Sequence, residues 1–480
     1  MFRESNMQEN LLLINNSRVK TNDTIVLKNP YTREVIAHVS RASIAEAAQA
    51  VEAAHAAFAV CRKQPAYQRA ALLRKTAELI TQHGDGLAET IALEAGKPIK
   101  AARVEVSRAA MVFQLAAEEA LRIIGEVLPL DIAPDAGNRI GITRRFPLGP
   151  VLAITPFNFP LNLVAHKIAP AIAAGNTVVH KPSSAAPLTA LRLGELLQEA
   201  GMPDGMVNVI PCTPDVAESL IADERIKMIS FTGSPDVGWA IRAQAGKKKV
   251  ALELGGNAGV IIEPDADLHT AVERCVFGGY VFAGQVCISV QRIYIHESIY
   301  KEFTREFVAG VKKLKTGDPL LPETDVGPLI SPAEVKRVQE WIEEAQQLGG
   351  TVLTGGFYEG TIYQPTVLAD VPKGARCVSS ELFAPVTVLC SYKNFDEALR
   401  EVNDSIYGLQ AGVFTKNIDK ALTAFNRLDV GGVMINEVPT FRVDNFPYGG
   451  VKHSGLGREG VRYAIEEMTE IKIMVLHNSA

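Results

Sequence analysis

Three side chains in this 480-residue sequence have the type and setting for covalent chemistry on a carbonyl. Cys287 lies in FAGQVCIS (282–289), after a Gly-Gln turn and before a run of small residues, where a loop can hold its thiolate as a nucleophile. A single cysteine is more often a buried small hydrophobe, so this one carries little weight alone. Glu253 stands near the end of an apolar run in ALELGGNAGVII (251–262), ahead of Gly255 and Gly256. A carboxylate entering apolar surroundings is costly unless paired or neutral, so its pKa rises, as suits a base that activates water. A buried salt bridge is the even alternative. Asn158 in ITPFNFPLN (154–162) lies between Pro156 and Pro160, which stiffen its turn and fix an amide donor for a developing oxyanion. An Asx turn is the plainer reading.

Two further positions suit a phosphate-bearing ligand. ISFTGSPDVG (229–238) reads as strand, tight turn and helix, with Gly233 letting a ligand approach and Ser234 capping a helix that begins at Pro235. The pattern is not GxGxxG and is modest by itself. Lys181 in VVHKPSS ends a strand, within reach of ribose hydroxyls or, equally, of solvent.

The elements that must position these residues fall into two textures. Residues 44–123 read as helices, with apolar residues at three- and four-residue spacing, Ser43 as an N-cap, Gly96 as a stop and a last helix over 101–122. From residue 151 short β-branched runs (151–155, 177–181, 207–210, 228–231, 250–254) alternate with helical stretches, the signature of a parallel sheet. Ligands of such sheets gather beyond the carboxyl ends of the strands, where Asn158, Lys181, Gly233 and Ser234 all fall. A second alternation spans 266–447, with helices near 266–279, 298–313 and 332–348 and strands near 292–296 and 410–415. A hairpin in 128–150 and a late strand at 469–476 lack partners and predict a small oligomerisation sheet.

Composition excludes several classes. A formal charge of −5 argues against a general nucleic-acid or anionic-membrane surface. Six scattered cysteines suggest free thiols in a reducing compartment, hence the cytoplasm. Nine histidines without HExxH spacing argue against a metal centre. The apolar run in the first 17 residues is too brief for a signal peptide core, and no run is long enough to span a bilayer.

Taken in order, TPFNFP, GNTVVHKPS, FTGS, LELGG, GQVCIS, SELFAPV and PYGGVKHSGLGREG resemble the aldehyde dehydrogenase superfamily from about residue 25 to the C-terminus, most nearly its lactaldehyde dehydrogenase-like branch. The resemblance implies an α/β fold with a Rossmann-type cofactor domain (1–125 and 146–250), an α/β catalytic domain (251–448) and a small β extension for oligomerisation (126–145 and 449–480). It implies Cys287 as nucleophile, Asn158 with the Cys287 N–H as oxyanion donors, and Glu253 as the base of hydrolysis. The cofactor, NAD or NADP with NAD slightly ahead, would meet Thr155, Pro156, Phe157, Lys181, Ser183, Ser184, Gly233, Ser234, Leu254, Glu381 and Phe383. Ser184 stands where strict NAD users often carry Glu, which removes a repulsion against a 2′-phosphate.

The substrate reads as a small, hydroxylated aldehyde. Val286 stands where some enzymes of phosphorylated aldehydes carry Arg, and Val286 and Ile288 flank the thiol. Arg108 and Arg442 could instead receive a phosphate, phosphonate or sulfonate, although a structural ion pair is the commoner fate of an arginine. Two rival readings are transfer of the acyl group to coenzyme A and a non-catalytic binding module of the same fold. A homodimer or homotetramer is expected.

Overall fold

The computed structural model describes residues 10–477. Residues 1–9, part of the stretch read above for a signal peptide, lie outside the described residues, as do 478–480. Among the described residues, no helix is long and apolar enough to cross a membrane.

Helices Ile44–Cys61, Ala66–Gln82, Gly84–Ala95 and Ile99–Ala120 form the N-terminal layer. Ser43 closes a reciprocal capping box with Glu46, and Gly96 ends the third helix at φ 70°. The last helix starts at Ile99, two residues before the expected 101, because Pro98 supplies the turn ahead of it.

These helices cover a sheet whose central strands Val207–Val209, Thr177–Lys181, Pro150–Ile154, Met228–Thr232 and Lys249–Glu253 run parallel. Short antiparallel strands extend it at either side, Leu12–Ile14 and Ser17–Val19 at one edge and Gly455–Leu456 at the other. The N-terminal strands were not anticipated; at three residues each they are too short to show a period. A second sheet, seven strands drawn from 258–435, is parallel except for Thr351–Thr354.

Two expected boundaries shift. Lys249–Glu253 pairs with Met228–Thr232 over five residues, so the change of sheet falls at the glycine pair after Glu253, not at 250. Residues 449–468, expected in the extension, do not join it. Instead, Gly455–Leu456 pairs with Leu252 and Glu253, and helix Val461–Glu467 buries Val461 and Ile465 in the core of the first lobe. The extension is therefore Val127–Pro129, Arg139–Pro147 and Thr469–His477, the last two paired through nine residues.

Candidate active site between the two sheets

Asn158 lies in the turn that leads from Pro150–Ile154 into helix Asn162–Ala174. It is buried, and its Nδ2 donates to the Gln285 carbonyl at 2.9 Å. A side-chain amide has two N–H bonds, so engaging one fixes its plane and leaves the other to meet an incoming oxygen. Gln285 is itself anchored, its Oε1 accepting from the Ile330 N–H at 3.0 Å.

Cys287 follows two residues later. Phe282, Ala283 and Gly284 ahead of it all adopt left-handed backbone, with φ of 49°, 53° and 66°. Such backbone at non-glycine residues persists only where the surroundings fix it. Here Phe282 packs edge-on against Phe159, and the Lys97 ammonium lies over both rings, 3.6 Å from the Phe159 centroid and 4.5 Å from that of Phe282. Buried Lys97 pairs with buried Glu105, whose other oxygen accepts from the Leu161 and Asn162 N–H groups at 2.9 and 3.1 Å. One ion pair thus braces both the Asn158 turn and the Cys287 loop.

The Cys287 sulfur sits 3.0 Å from the Tyr448 hydroxyl. Burial pushes the thiol up to about 12, opposed by the Tyr448 hydrogen bond and by Arg442. Glu253 ends its strand buried, and its Oε2 has no hydrogen-bond partner. A Cβ on Gly449, the neighbour of Tyr448, would come within 2.9 Å of Glu253 Oε1, so the carboxyl and the thiol share one wall. Burial, reinforced by the like charge of Glu459, raises Glu253 well above the ordinary carboxylate range. Burial acts on Glu459 too, but Lys167 and Arg442 outweigh it and hold that carboxyl at about 2. One acid of the pair is therefore ionised in an ion-pair network and the other is poised to move a proton.

The residues beyond the strand ends fit a dinucleotide. Helix Pro235–Gln244 has no side-chain cap, so the N–H groups of its first turn are open to an anion. Thr232 Oγ1 is buried without a partner. The Glu381 carboxylate accepts from the Gly256 N–H at 3.0 Å and occupies the space a Cβ on Gly255 would need; burial raises it to about 7. Burial also lowers the Lys181 ammonium at its strand end.

Residues 18–474 match the aldehyde dehydrogenase family. The chain belongs to that family. It is 43% identical over 467 residues to the 3-sulfolactaldehyde dehydrogenase of Priestia aryabhattai, covering 97% of this chain and 98% of that one. Its structure resembles aldehyde dehydrogenase 21 from Physcomitrella patens in complex with succinate, at TM-score 0.96 and 44% identity over 99% of each chain. It also resembles a glyceraldehyde-3-phosphate dehydrogenase from Methanocaldococcus jannaschii complexed with NADP, at TM-score 0.92 and 43% identity over 96% of this chain and 100% of that one. The protein is an NAD(P)-dependent aldehyde dehydrogenase.

The remaining expected residues of this aldehyde dehydrogenase have definite places. Thr155 Oγ1 bonds His180 Nε2 at 2.9 Å, and Phe157 meets Phe383 edge-on at 6.1 Å, with Phe383 held at φ 52°. Pro156 is half-buried; Ser183 accepts from the Ala185 N–H, and Ser184 is exposed. Leu254 packs against Gly238 of the open helix. Val286 and Ile288 are buried in an apolar cluster with Phe282, Leu409 and Tyr448.

Some expectations change. Ser234 stands at the N-cap position, but its hydroxyl makes no capping bond, so the helix end stays open. Gly233 is small because the Phe231 ring fills the space of its Cβ, and not only to admit a ligand. Arg108 holds Asp444 at 2.7 Å. Arg442, 7% exposed, holds Glu459 at 3.1 Å and stacks on Tyr448 at 3.7 Å, so most of its charge serves the protein, although its Nε has no acceptor. Tyr448, Glu459, Lys167 and the Lys97–Glu105 pair were missed. The first two lie inside the quoted block PYGGVKHSGLGREG, which was the available signal.

Proposed function

We propose that this enzyme oxidises a small, hydroxylated aldehyde of the lactaldehyde type to its carboxylic acid through a thioester on Cys287. The observation that carries the reading is the convergence of the Cys287 thiol, the oriented Asn158 amide and the unpartnered Glu253 carboxyl on one wall. The Cys287 sulfur, as thiolate, adds to the aldehyde carbon, forming a C–S bond as the C=O π pair moves onto oxygen, while the free N–H of Asn158 and the Cys287 backbone N–H donate to that oxyanion. A bound nicotinamide dinucleotide would supply the hydride acceptor for that carbon. Lys181, Ser234, Glu381 and Phe383 would hold it, with Thr155, Pro156, Phe157, Ser183, Ser184, Gly233 and Leu254 lining the crevice. Glu253 then draws a proton from water, whose oxygen attacks the thioester, and the C–S bond breaks.

The apolar Val286 and Ile288 beside the thiol suit a short substrate. A second reading, an aldehyde bearing sulfonate, phosphonate or phosphate, is favoured by one observation: Arg442 Nε is buried without an acceptor, one aromatic ring away from the sulfur. The exposed Ile471, Ile473 and Leu476 on strand Thr469–His477 support a homodimer or homotetramer. Six free cysteines support a reducing compartment such as the cytoplasm.

The test is a panel of lactaldehyde, glycolaldehyde, sulfolactaldehyde and acetaldehyde with NAD and NADP, read as kcat/KM. The proposal expects lactaldehyde to lead, Cys287→Ala to abolish turnover and coenzyme A to leave the rate unchanged. Acyl-CoA formation would overturn hydrolysis, and a lead of tenfold or more for sulfolactaldehyde would select the anionic reading.

A further inference from the structure

Away from the active site, a cavity of ≈ 380 Å³ opens where the start of helix Ala66–Gln82 meets the extension strand Arg139–Pro147. Five cations line it, Arg62, Lys63, Arg69, Arg144 and Arg145, and no aspartate or glutamate does. This is against the grain of a chain with 54 acidic and 49 basic residues. None of the five makes an ion pair among the described residues, although most arginines elsewhere are paired. Arg69 donates from one Nη to the Gln64 carbonyl at 2.7 Å, and Arg145 reaches only Thr469 Oγ1 and the Glu466 carbonyl at 3.3 and 3.4 Å. Lys472 adds a sixth positive charge, sharing the Phe146 ring with Arg144 at 4.6 and 5.7 Å.

The surroundings sharpen the imbalance. Arg62 and Lys63 follow the C-terminus of helix Ile44–Cys61, whose dipole suits them. Arg69 does not: it stands in the first turns of helix Ala66–Gln82, at the positive end of a dipole that favours an anion. That end has no side-chain cap, and Pro65 and Ala66 line the cavity. Arg69 Nε and Gln64 Oε1 are both buried without partners. Burial alone lowers the Arg69 guanidinium, with no acidic neighbour to offset it. In the adjoining cavity the acids are already engaged, Glu119 by Arg122 and Glu466 by Arg462.

We infer that this cavity is a binding site, separate from the dinucleotide crevice, for a compact phosphate-bearing anion. Guanidinium forks and an open helix end are the donors that recognise phosphate oxygens, and the volume suits a small phosphorylated molecule. Carboxylates of a second copy of the chain are the competing occupant.

The experiment titrates inorganic pyrophosphate into the full-length enzyme by calorimetry, with saturating NADPH so that the dinucleotide crevice is filled. Binding of one pyrophosphate per chain is expected, weakening as salt rises. Arg62→Glu with Arg144→Glu should weaken it about tenfold or more while kcat/KM with aldehyde stays unchanged. Lys63→Glu alone, at an exposed position, should weaken it in the same direction. Unchanged kcat/KM shows that the variants are folded. No heat of binding, or binding that these variants leave untouched, would overturn the inference. So would loss of oligomer mass by light scattering in the double variant without pyrophosphate binding in the wild type, since that places a second copy in the cavity.

Discussion

The sulfur of Cys287 and the hydroxyl of Tyr448, 161 residues apart in sequence, lie 3.0 Å from each other. The hydroxyl can donate to a thiolate, and it opposes the burial that pushes this thiol up to about 12. Tyr448→Phe removes the donor and keeps the ring beneath Arg442. The pH midpoint for alkylation of Cys287 by iodoacetamide should therefore move upward, and the rate at pH 8 should fall by roughly five- to tenfold, the worth of one hydrogen bond of about 1 kcal/mol. A midpoint that moves downward would show that the hydroxyl stabilises the thiol instead.

Glu253→Gln separates the two halves of the reaction. In the proposed mechanism acylation needs Cys287 and Asn158, whereas hydrolysis needs a base, so the variant should give one equivalent of NAD(P)H per site and then slow by about 10²–10⁴-fold. In the wild type the hydrolytic step should rise with pH, with its inflection above the ordinary carboxylate range, because burial and Glu459 raise Glu253. Stability has the opposite slope. A carboxyl raised on folding binds its proton more tightly in the native state, so its contribution is full below the unfolded value and is lost as pH climbs through the raised one. Urea midpoints should therefore show Glu253→Gln gaining on the wild type between pH 5 and pH 8. A gain that shrinks over that range would contradict the assignment.

Asn158→Ala removes the N–H that the Gln285 carbonyl orients. The expected loss is about a hundredfold or more in the acylation rate, close to 3 kcal/mol for one oxyanion donor. Stopped-flow measurement of the NAD(P)H burst reads that step directly. A burst of unchanged rate, with only steady-state turnover affected, would assign Asn158 a role after hydride transfer.

Lys97→Met leaves Glu105 buried without its cation. Breaking a buried pair from one side costs roughly 3–5 kcal/mol, more than a cavity of the same size would, because the remaining charge stays desolvated. Urea unfolding should show that loss, and Lys97→Arg should recover part of it. The Glu105 bonds to the Leu161 and Asn162 N–H groups should keep the helix start intact, so the fold survives. A variant as stable as the wild type would mean that the pair contributes nothing to stability.

What could be read from the sequence followed the range of the interactions. The strands at 177–181 and 228–231 and the N-cap at Ser43 are local, fixed by β-branched runs and by a hydroxyl ahead of a helical period, and the structure has them within a residue. Tyr448 and Glu459 were in view as letters of a glycine-rich block, but their contacts with Cys287 and Lys167 join distant parts of the chain. No periodicity announces such a pair. The same limit explains the misplaced boundary at 250, where the glycines after Glu253 mark a break and only the pairing with Met228–Thr232 says which sheet precedes it. Arg442 shows the converse: its type suggested an anion, and the fold had already supplied one in Glu459.

The proposed cofactor crevice ties the choice of cofactor to Ser184. It lies three residues past Lys181, exposed, and brings no negative charge to the strand end where a ribose would rest. Ser184→Glu would place a carboxylate there, which repels a 2′-phosphate and can accept from ribose hydroxyls. The variant should lose at least tenfold in kcat/KM for NADP while NAD changes little, since about 1.4 kcal/mol of like-charge repulsion is enough for that ratio. Because Ser184 is exposed, the substitution should leave the folded state intact, and Tm without cofactor should match the wild type. Equal losses with both cofactors would mean that the ribose lies elsewhere.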